Sequence, residues 1–384
     1  MTEWRKRCLG EITSFMSKGI PPKYVERENE NTVRVLNQKC NRNFEIKYEE
    51  SRLHDCSKKK VPADKMLQPG DVLINSTGTG TAGRVAQLYD VPTPTTIDGH
   101  MILLRPTEGI DSIYYGYAIK AFQPKIETLA EGSTGQTEIN RKRLQEEIVI
   151  SFPKGKETQE RIARFLLNID EKIKVNGKIN KNLYKQMLFI FNNAKKTSSW
   201  KHHKLGDVLT FYDNLRKPLS SIQREKMAHI YPYYGATSIV DYVEDYLFDG
   251  TYILISEDGA NVVDALGHPL TQYTYGKFWV NNHAHVVRGS SSYSEALIYA
   301  MLGTLNMQSI VTGAAQPKIN QANLRNFETV LPENEEAQVL SVILTPMLQQ
   351  MLYYDQENER LSTLRDTLLP QLMSGELDIS AIDL

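Results

Sequence analysis

Cysteine is scarce in this chain of 384 residues: Cys8, Cys40 and Cys56 are the only three, all in the first sixth, and none is spaced as a CxxC pair. An odd number without paired spacing excludes a disulfide scaffold, a cysteine-rich zinc module and a dithiol redox site, and leaves reduced structural thiols. Long apolar runs are missing too. None approaches the ~18 residues that span a bilayer, and Met1 to Ile12 lacks the apolar core of a signal peptide, so a cytoplasmic protein without a membrane partner is expected. Net charge is nearly absent as well, at −1 from 45 basic and 46 acidic residues. Taken alone, that balance speaks against nucleic acid.

The position of the charge changes this reading. Met1 to Asp64 carries 14 basic against 10 acidic residues, Lys154 to Lys204 carries 13 against 4, and Glu333 to Leu384 carries 2 against 10. A basic and an acidic segment can neutralise each other and leave the regions between them a local positive field.

What the chain has in abundance is repetition. Trp4-x4-Leu9-Gly10-Glu11-Ile12 returns as Trp200-x4-Leu205-Gly206-Asp207-Val208. Likewise Gln136-x2-Ile139-Asn140-x3-Leu144, leading to Pro153, returns as Gln316-x2-Ile319-Asn320-x3-Leu324, leading to Pro332. Between these shared ends the two halves look unrelated. A frame kept while its contents change implies two modules doing one kind of job on two targets.

Each module is followed by a heptad-patterned stretch. From about Glu157 to Asn193 the seam steps by four and three through Ile162, Leu166, Ile169, Ile173, Asn176, Asn180, Leu183, Met187 and Ile190. From about Glu335 to Met373 it steps through Leu340, Leu344, Met347, Met351, Tyr354, Asn358, Leu361, Arg365, Leu368 and Leu372. Sustained seams of this kind predict coiled-coil packing; the other reading makes each helix an amphipathic element on a core of its own. Run antiparallel, the two helices set middle against middle, where Asn176 or Asn180 could hydrogen-bond Asn358 and fix the register. Pro346, inside the second helix, predicts a kink or a fresh helix start.

Composition and pattern give an α+β fold: two pseudo-repeated mixed modules separated by two long helices that form an antiparallel coiled coil. The expected division is 1–153 for the first module, 154–196 for the first helix, 197–332 for the second module, and 333–384 for the second helix and tail. Predicted strands include Asp71 to Asn75, His100 to Arg105, Tyr252 to Ser256 and Phe278 to Val287, and helices are expected near Ser112 to Ala121 and Ser292 to Leu305.

Two motifs imitate catalytic sites. Gly78-Thr79-Gly80-Thr81-Ala82-Gly83 is a literal GxGxxG after a strand, which in a dinucleotide fold cradles a pyrophosphate. The required helix does not follow, and no P-loop lysine is present. A hairpin is favoured, with Asn75, Ser76, Thr77 and Arg84 as polar groups that could face nucleic acid, along with the basic pair Lys58 and Lys59. His283-Ala284-His285 sits in an expected strand whose alternation places both imidazoles on one face, as metal ligands would be. No neighbouring Cys, Asp or Glu in sequence completes a set, so a polar strand face, with Asn281 and Asn282, is favoured for packing or DNA contact. The tyrosines of the second module, among them Tyr231, Tyr233, Tyr246 and Tyr252, could stack bases, although tyrosine is common in β cores.

At this point the residues resemble a known family. The segments Pro69 to Gly80, Asp249 to Gly259 and Lys277 to Val286, and above all the closing Leu364-Arg365-Asp366-Thr367-Leu368-Leu369-Pro370-Gln371-Leu372-Met373-Ser374-Gly375-Glu376-Leu377, fall in the order seen in specificity subunits of type I restriction-modification systems. The resemblance covers essentially the whole chain. It implies a non-catalytic reader of double-stranded DNA: two target-recognition domains, each for one half of a split site, with helices that set the spacer and dock two methyltransferase subunits. Restriction (translocase-nuclease) subunits would join the assembly. It also implies adenine-N6 methylation with S-adenosylmethionine, ATP and magnesium, all held by partners and none by this chain. Consistent with that division, the [DN]PP[YF] methyltransferase box is missing, since Pro21-Pro22-Lys23-Tyr24 lacks the preceding Asp or Asn and the adjacent aromatic. A seam of about 35 residues spans roughly 50 Å, more than the ~34 Å between half-sites one DNA turn apart. Two other classes compete: an enzyme binding a nucleotide or methyl donor at Gly78 to Gly83, and a scaffold using only its coiled coil.

Overall fold

The repeated residues turn out to be the joints of the fold. In the computed structural model, which describes residues 3–132, 137–290, 292–313 and 315–378, Asn140 and Asn320 cap the short helices Arg141–Glu147 and Gln321–Asn326. Their side-chain oxygens accept backbone N–H groups of the first turn, which otherwise have no partner. The isoleucine before and the leucine four residues after each cap are buried, so one short signature serves as cap and anchor together. Gln136, at the head of the first copy, lies outside the described residues.

The other repeated motif makes a second joint. Glu11 accepts the Cys8 N–H at 2.9 Å, and Asp207 accepts the Lys204 N–H at 3.1 Å. Leu9 and Leu205 are fully buried. The glycines beside them permit close approach: a Cβ at Gly10 would stand 3.1 Å from Gln145 Cβ, and one at Gly206 3.1 Å from the Arg325 carbonyl. These joints close a two-stranded ribbon in each half, Trp4–Cys8 against Val149–Pro153 and Lys201–Lys204 against Glu328–Leu331, both antiparallel.

Tertiary contacts divide the chain into two compact units, Met1–Ile173 with Glu359–Leu384, and Lys174–Asn358. In the first, an antiparallel sheet runs Thr13–Lys18, Met101–Pro106, Val72–Asn75, Val85–Gln87. In the second, the matching order is Leu209–Phe211, Ala284–Gly289, Tyr252–Ser256, Thr271–Thr274. The helices Ser112–Ala121 and Glu295–Leu302 each belong to the apolar core built on this sheet in their own unit.

The contents of the modules, unrelated by sequence, share a second sheet. Thr95–Ile97 lies parallel to Thr32–Leu36, which pairs antiparallel with Arg52–Asp55. Lys277–Val280 lies parallel to Tyr231–Tyr234, which pairs antiparallel with Ile239–Val243. Only the fourth strand differs: Tyr24–Val25 joins beside Arg52–Asp55, whereas Phe248–Asp249 joins beside Lys277–Val280, at the opposite edge. The single strand expected over Phe278 to Val287 is therefore two strands, Lys277–Val280 and Ala284–Gly289, in different sheets. The turn at Asn281 to His283 lets the chain change sheets, and continuous β propensity hides it.

Both long helices extend a little beyond expectation, Lys156–Thr197 and Asn334–Ser374. Each contributes to both units. In the first, Ile162, Ala163 and Leu166 share a core with Leu369, Leu372 and Met373, and Arg365 donates to Asp170 at 2.5 Å. In the second, Met187 and Phe191 share a core with Leu340, Leu344 and Met351. There Asn176 Nδ2 donates to Asn358 Oδ1 at 2.9 Å, and Asn180 Nδ2 donates to Asp355 at 2.7 Å and to the Met351 carbonyl at 3.1 Å. Rising numbers on one helix meet falling numbers on the other, so the pair is antiparallel. The expected fresh start at Pro346 does not occur, because the helix continues through it. Pro346 and the residue whose carbonyl it leaves without a donor, Val342, are both exposed, and water can serve that carbonyl.

The three cysteines are free thiols, and burial pushes the Cys40 thiol up to about 11. Among the described residues, no helix is long and apolar enough to cross a membrane.

Candidate nucleic-acid interface

Where the two sheets of each module meet, both halves build the same junction from different side chains. In the first module the Ser76 N–H donates to the His100 carbonyl at 2.8 Å, and the Ile139 N–H donates to the Ser76 carbonyl at 2.7 Å. In the second the Glu257 N–H donates to the His283 carbonyl at 2.9 Å, and the Ile319 N–H donates to the Glu257 carbonyl at 2.8 Å. The turn into each histidine is closed alike: Asp98 Oδ1 accepts the His100 N–H at 2.9 Å, and Asn281 Oδ1 accepts the His283 N–H at 2.8 Å. Each imidazole is then held from behind, His100 Nδ1 by Thr77 Oγ1 at 2.8 Å and His283 Nδ1 by Asp258 Oδ1 at 2.5 Å. Both histidines are exposed.

Several residues expected to face DNA are buried inside this junction. Asn75 has no exposed surface; it donates to the Gln38 carbonyl at 3.1 Å and accepts from Asn41 at 3.2 Å. Ser76 and His285 are equally buried, and Asn281 nearly so. A side chain without a solvent face cannot meet a DNA surface, so these four shape the fold. Arg84 folds back onto the Gly80 carbonyl at 2.9 Å. Thr77 supports His100. Lys58, Lys59, Asn282 and His283 remain exposed, with Lys58 lying 3.6 Å from Asp55. Of the tyrosines, Tyr233 is buried and Tyr252 packs on Phe248 and Phe278, whereas Tyr231 and Tyr246 pair at 5.2 Å, with the Lys277 ammonium 4.4 Å from the Tyr246 ring centre.

His100 was missed by sequence reasoning. Its signal, Asp98-Gly99-His100 against Asn281-Asn282-His283, is visible only after the flanking strands are aligned through their pairing, Met101 opposite Asn75 and Ala284 opposite Ser256.

The two imitation motifs also resolve. Gly78 to Gly83 forms the turn of an antiparallel hairpin between Val72–Asn75 and Val85–Gln87, with no helix after it. Gly83 has φ +88°, and a Cβ there would stand 2.7 Å from the Glu127 backbone, so close approach to another part of the protein explains this glycine. The His283 and His285 imidazoles do not share a strand face, because His283 lies in the turn. His285 instead meets Asp213 and Glu257, a carboxylate pair distant in sequence and overlooked for that reason. Every ligand atom of this trio already has a protein partner. His285 Nδ1 lies 2.7 Å from Asp213 Oδ2 and Nε2 2.8 Å from the Ile319 carbonyl. Arg216 and Lys318 hold Glu257 at 2.8 and 3.0 Å, and Gln321 and the Val286 N–H hold Asp213. The cluster is thus an internal charge network that pins the Ile319-Asn320 joint to the sheet. Burial opposes ionisation of Asp213, but His285, the Val286 N–H and Arg216 outweigh it and keep the carboxyl below the ordinary range. Glu257 is lowered likewise, with burial outweighed by Arg216, His285 and Lys318.

A different surface lies on the second long helix within the unit Lys174–Asn358. Val339, Val342, Ile343 and Tyr353 are 46–69% exposed, and on the first helix Phe189 is 71% exposed. A helix already packed on one face that presents a second apolar stripe has the composition of a protein-docking surface.

The family model described as type I restriction modification DNA specificity domain matches the chain twice, over residues 1–185 and 197–362. A type I restriction enzyme specificity subunit of Haemophilus influenzae is 36% identical over 133 residues, 35% of this chain and a third (33%) of that relative's length. The MjaIX specificity subunit of Methanocaldococcus jannaschii is 22% identical over 314 residues, with 72% of each chain covered. Among solved structures, the S subunit of a type I restriction-modification system from M. genitalium shares the fold, with a TM-score of 0.54 at 19% identity over 99% of this chain and 97% of that one.

Proposed function

The chain belongs to the type I restriction-modification DNA specificity family, and from that premise we propose that it is the DNA-reading subunit of a methyltransferase complex, without a catalytic site of its own. Each module reads one half of a bipartite double-stranded site, and the continuous antiparallel helices set the spacer. The observation that carries this reading is the twice-built frame: one set of joints and two sheets per module, filled with different side chains. Phosphate contacts supply most of the affinity of such a reader, and base-edge contacts its choice of sequence. Different contents on a common frame therefore mean two targets and one mode of binding.

Two methyltransferase subunits dock on the helices in this proposal, and the stripe of Val339, Val342, Ile343 and Tyr353 is the surface best suited to receive one. Restriction subunits join through them, S-adenosylmethionine, ATP and magnesium stay with the partners, and the assembly works in the cytoplasm. The Gly78 to Gly83 enzyme reading has no support, since the loop is a hairpin turn. Mapping methylated adenines in cells with and without this chain is the test. Loss of one bipartite methylation motif is expected; an unchanged methylation pattern would overturn the proposal.

A further inference from the structure

We infer that His100 and His283 are equivalent phosphate-backbone contacts, one in each module; the inference rests on the DNA-reading proposal and names a contact within it. The two residues sit at one structural position, with the same carbonyl accepting from the same strand-end N–H and the same side-chain oxygen closing the turn. Their rings are oriented alike. In the second module the Asp258 carboxylate takes the Nδ1 hydrogen. In the first, the Thr77 hydroxyl lies 3.3 Å from Gln38 Oε1, which can only accept, so Thr77 gives its proton to Gln38 and accepts from His100 Nδ1. Both rings therefore turn Nε2 outward, and among the described residues neither Nε2 has a hydrogen-bond partner.

The described residues make no use of this outer nitrogen, yet both modules present it. Everything that differs between the modules is available for discriminating bases. On DNA, what two half-sites of different sequence share is the sugar-phosphate backbone, and an exposed group kept identical on both readers is suited to contact it. The ring support fits the task. With Nδ1–H committed inward, donation from Nε2 to a phosphate oxygen is made by the imidazolium, which is a charge-assisted contact.

Asparagine and glutamine separate the two nitrogens, because the asparagine amide reaches the Nδ1 position and the glutamine amide the Nε2 position. The experiment measures binding by fluorescence anisotropy of the full chain assembled with its methyltransferase subunits. One duplex of about 40 base pairs carries the mapped site and another has both half-sites scrambled, from about 50 to 300 mM salt. His100→Asn and His283→Asn are each expected to weaken binding about tenfold on both duplexes in the same proportion, and to reduce the salt slope by about one. The double variant should multiply the losses. His→Gln at either position should recover part of the affinity but not the slope, and thermal melting should be unchanged in the Asn variants. Unchanged affinity and slope in the Asn variants would overturn the inference, as would a loss confined to the cognate duplex, which marks a base contact. If the unaltered complex fails to prefer the cognate duplex, it is the DNA-reading proposal that falls.

Discussion

Arg216 shows how one side chain can hold a joint that the sequence advertises only as a motif. Its side chain is 13% exposed, and its guanidinium bonds Glu257 at 2.8 Å and the Ala284 carbonyl at 2.6 Å and lies 3.6 Å from Asp213. Removing it takes from Glu257 its closest counter-charge and from Asp213 a supporting one beside His285, so Arg216→Ala should cost about 3 kcal/mol in the stability of the second module, read by urea denaturation. Acid should act on the same network. The folded forms of Asp213 and Glu257 hold their carboxyls below the ordinary values, so their stabilising contribution is complete above the unfolded values of about 4 and is lost as pH falls through the lower folded values. The second module is expected to lose stability steeply below about pH 4, and Arg216→Met, which raises both folded values, should flatten that loss. An equally steep acid transition in the variant would remove this network as its cause.

At the scale of elements, the helix pair was legible in advance because a heptad seam repeats often enough to outweigh local noise. The polar break in that seam was legible too, as Asn176 and Asn358 do meet in the second unit. The buried side chain of Asn176 also donates to Glu357 at 2.7 Å, so Asn358→Leu removes one of its two bonds and should cost only about 1 kcal/mol. Leu344→Ala, a cavity in the same seam, should cost about 2–5 kcal/mol. Spin-label distances across the helices are expected to broaden in the first variant and stay sharp in the second, because the asparagine fixes alignment and the leucine supplies cohesion. The reverse pattern would show that the asparagine pair has no role in register. Elements whose identity lies in backbone pairing were not legible. The sheet change at Asn281 to His283, the common second sheet and the equivalence of His100 with His283 are carried by hydrogen-bond pattern, and unlike side chains can satisfy one pattern. The Asp213, Glu257 and His285 cluster escaped for a related reason, since it joins three positions from separate strands and turns.

For the whole molecule, a common frame with exchangeable contents predicts that specificity and spacing can be altered independently. Replacing Phe211 to Gly313 by the matching segment of another family member keeps both joints of the second module and changes only what they hold. One half of the methylated site should change, and the other half and the spacer should remain. The spacer is governed by the helices in this view, and the division between the two units offers a place to lengthen them with least harm to either core: after Ile173 in the first helix and before Glu359 in the second. One heptad inserted at both places adds about 10 Å of helix, close to three base pairs of duplex. The seam is preserved because a heptad restores its phase. Mapping methylated adenines in cells carrying each altered chain is expected to give a new half-site with the old spacing in the first case, and the old half-sites with a spacer about three base pairs longer in the second. An exchange that altered both half-sites, or an insertion that altered bases while leaving the spacing intact, would mean that the modules do not read separately and that the helices do not measure.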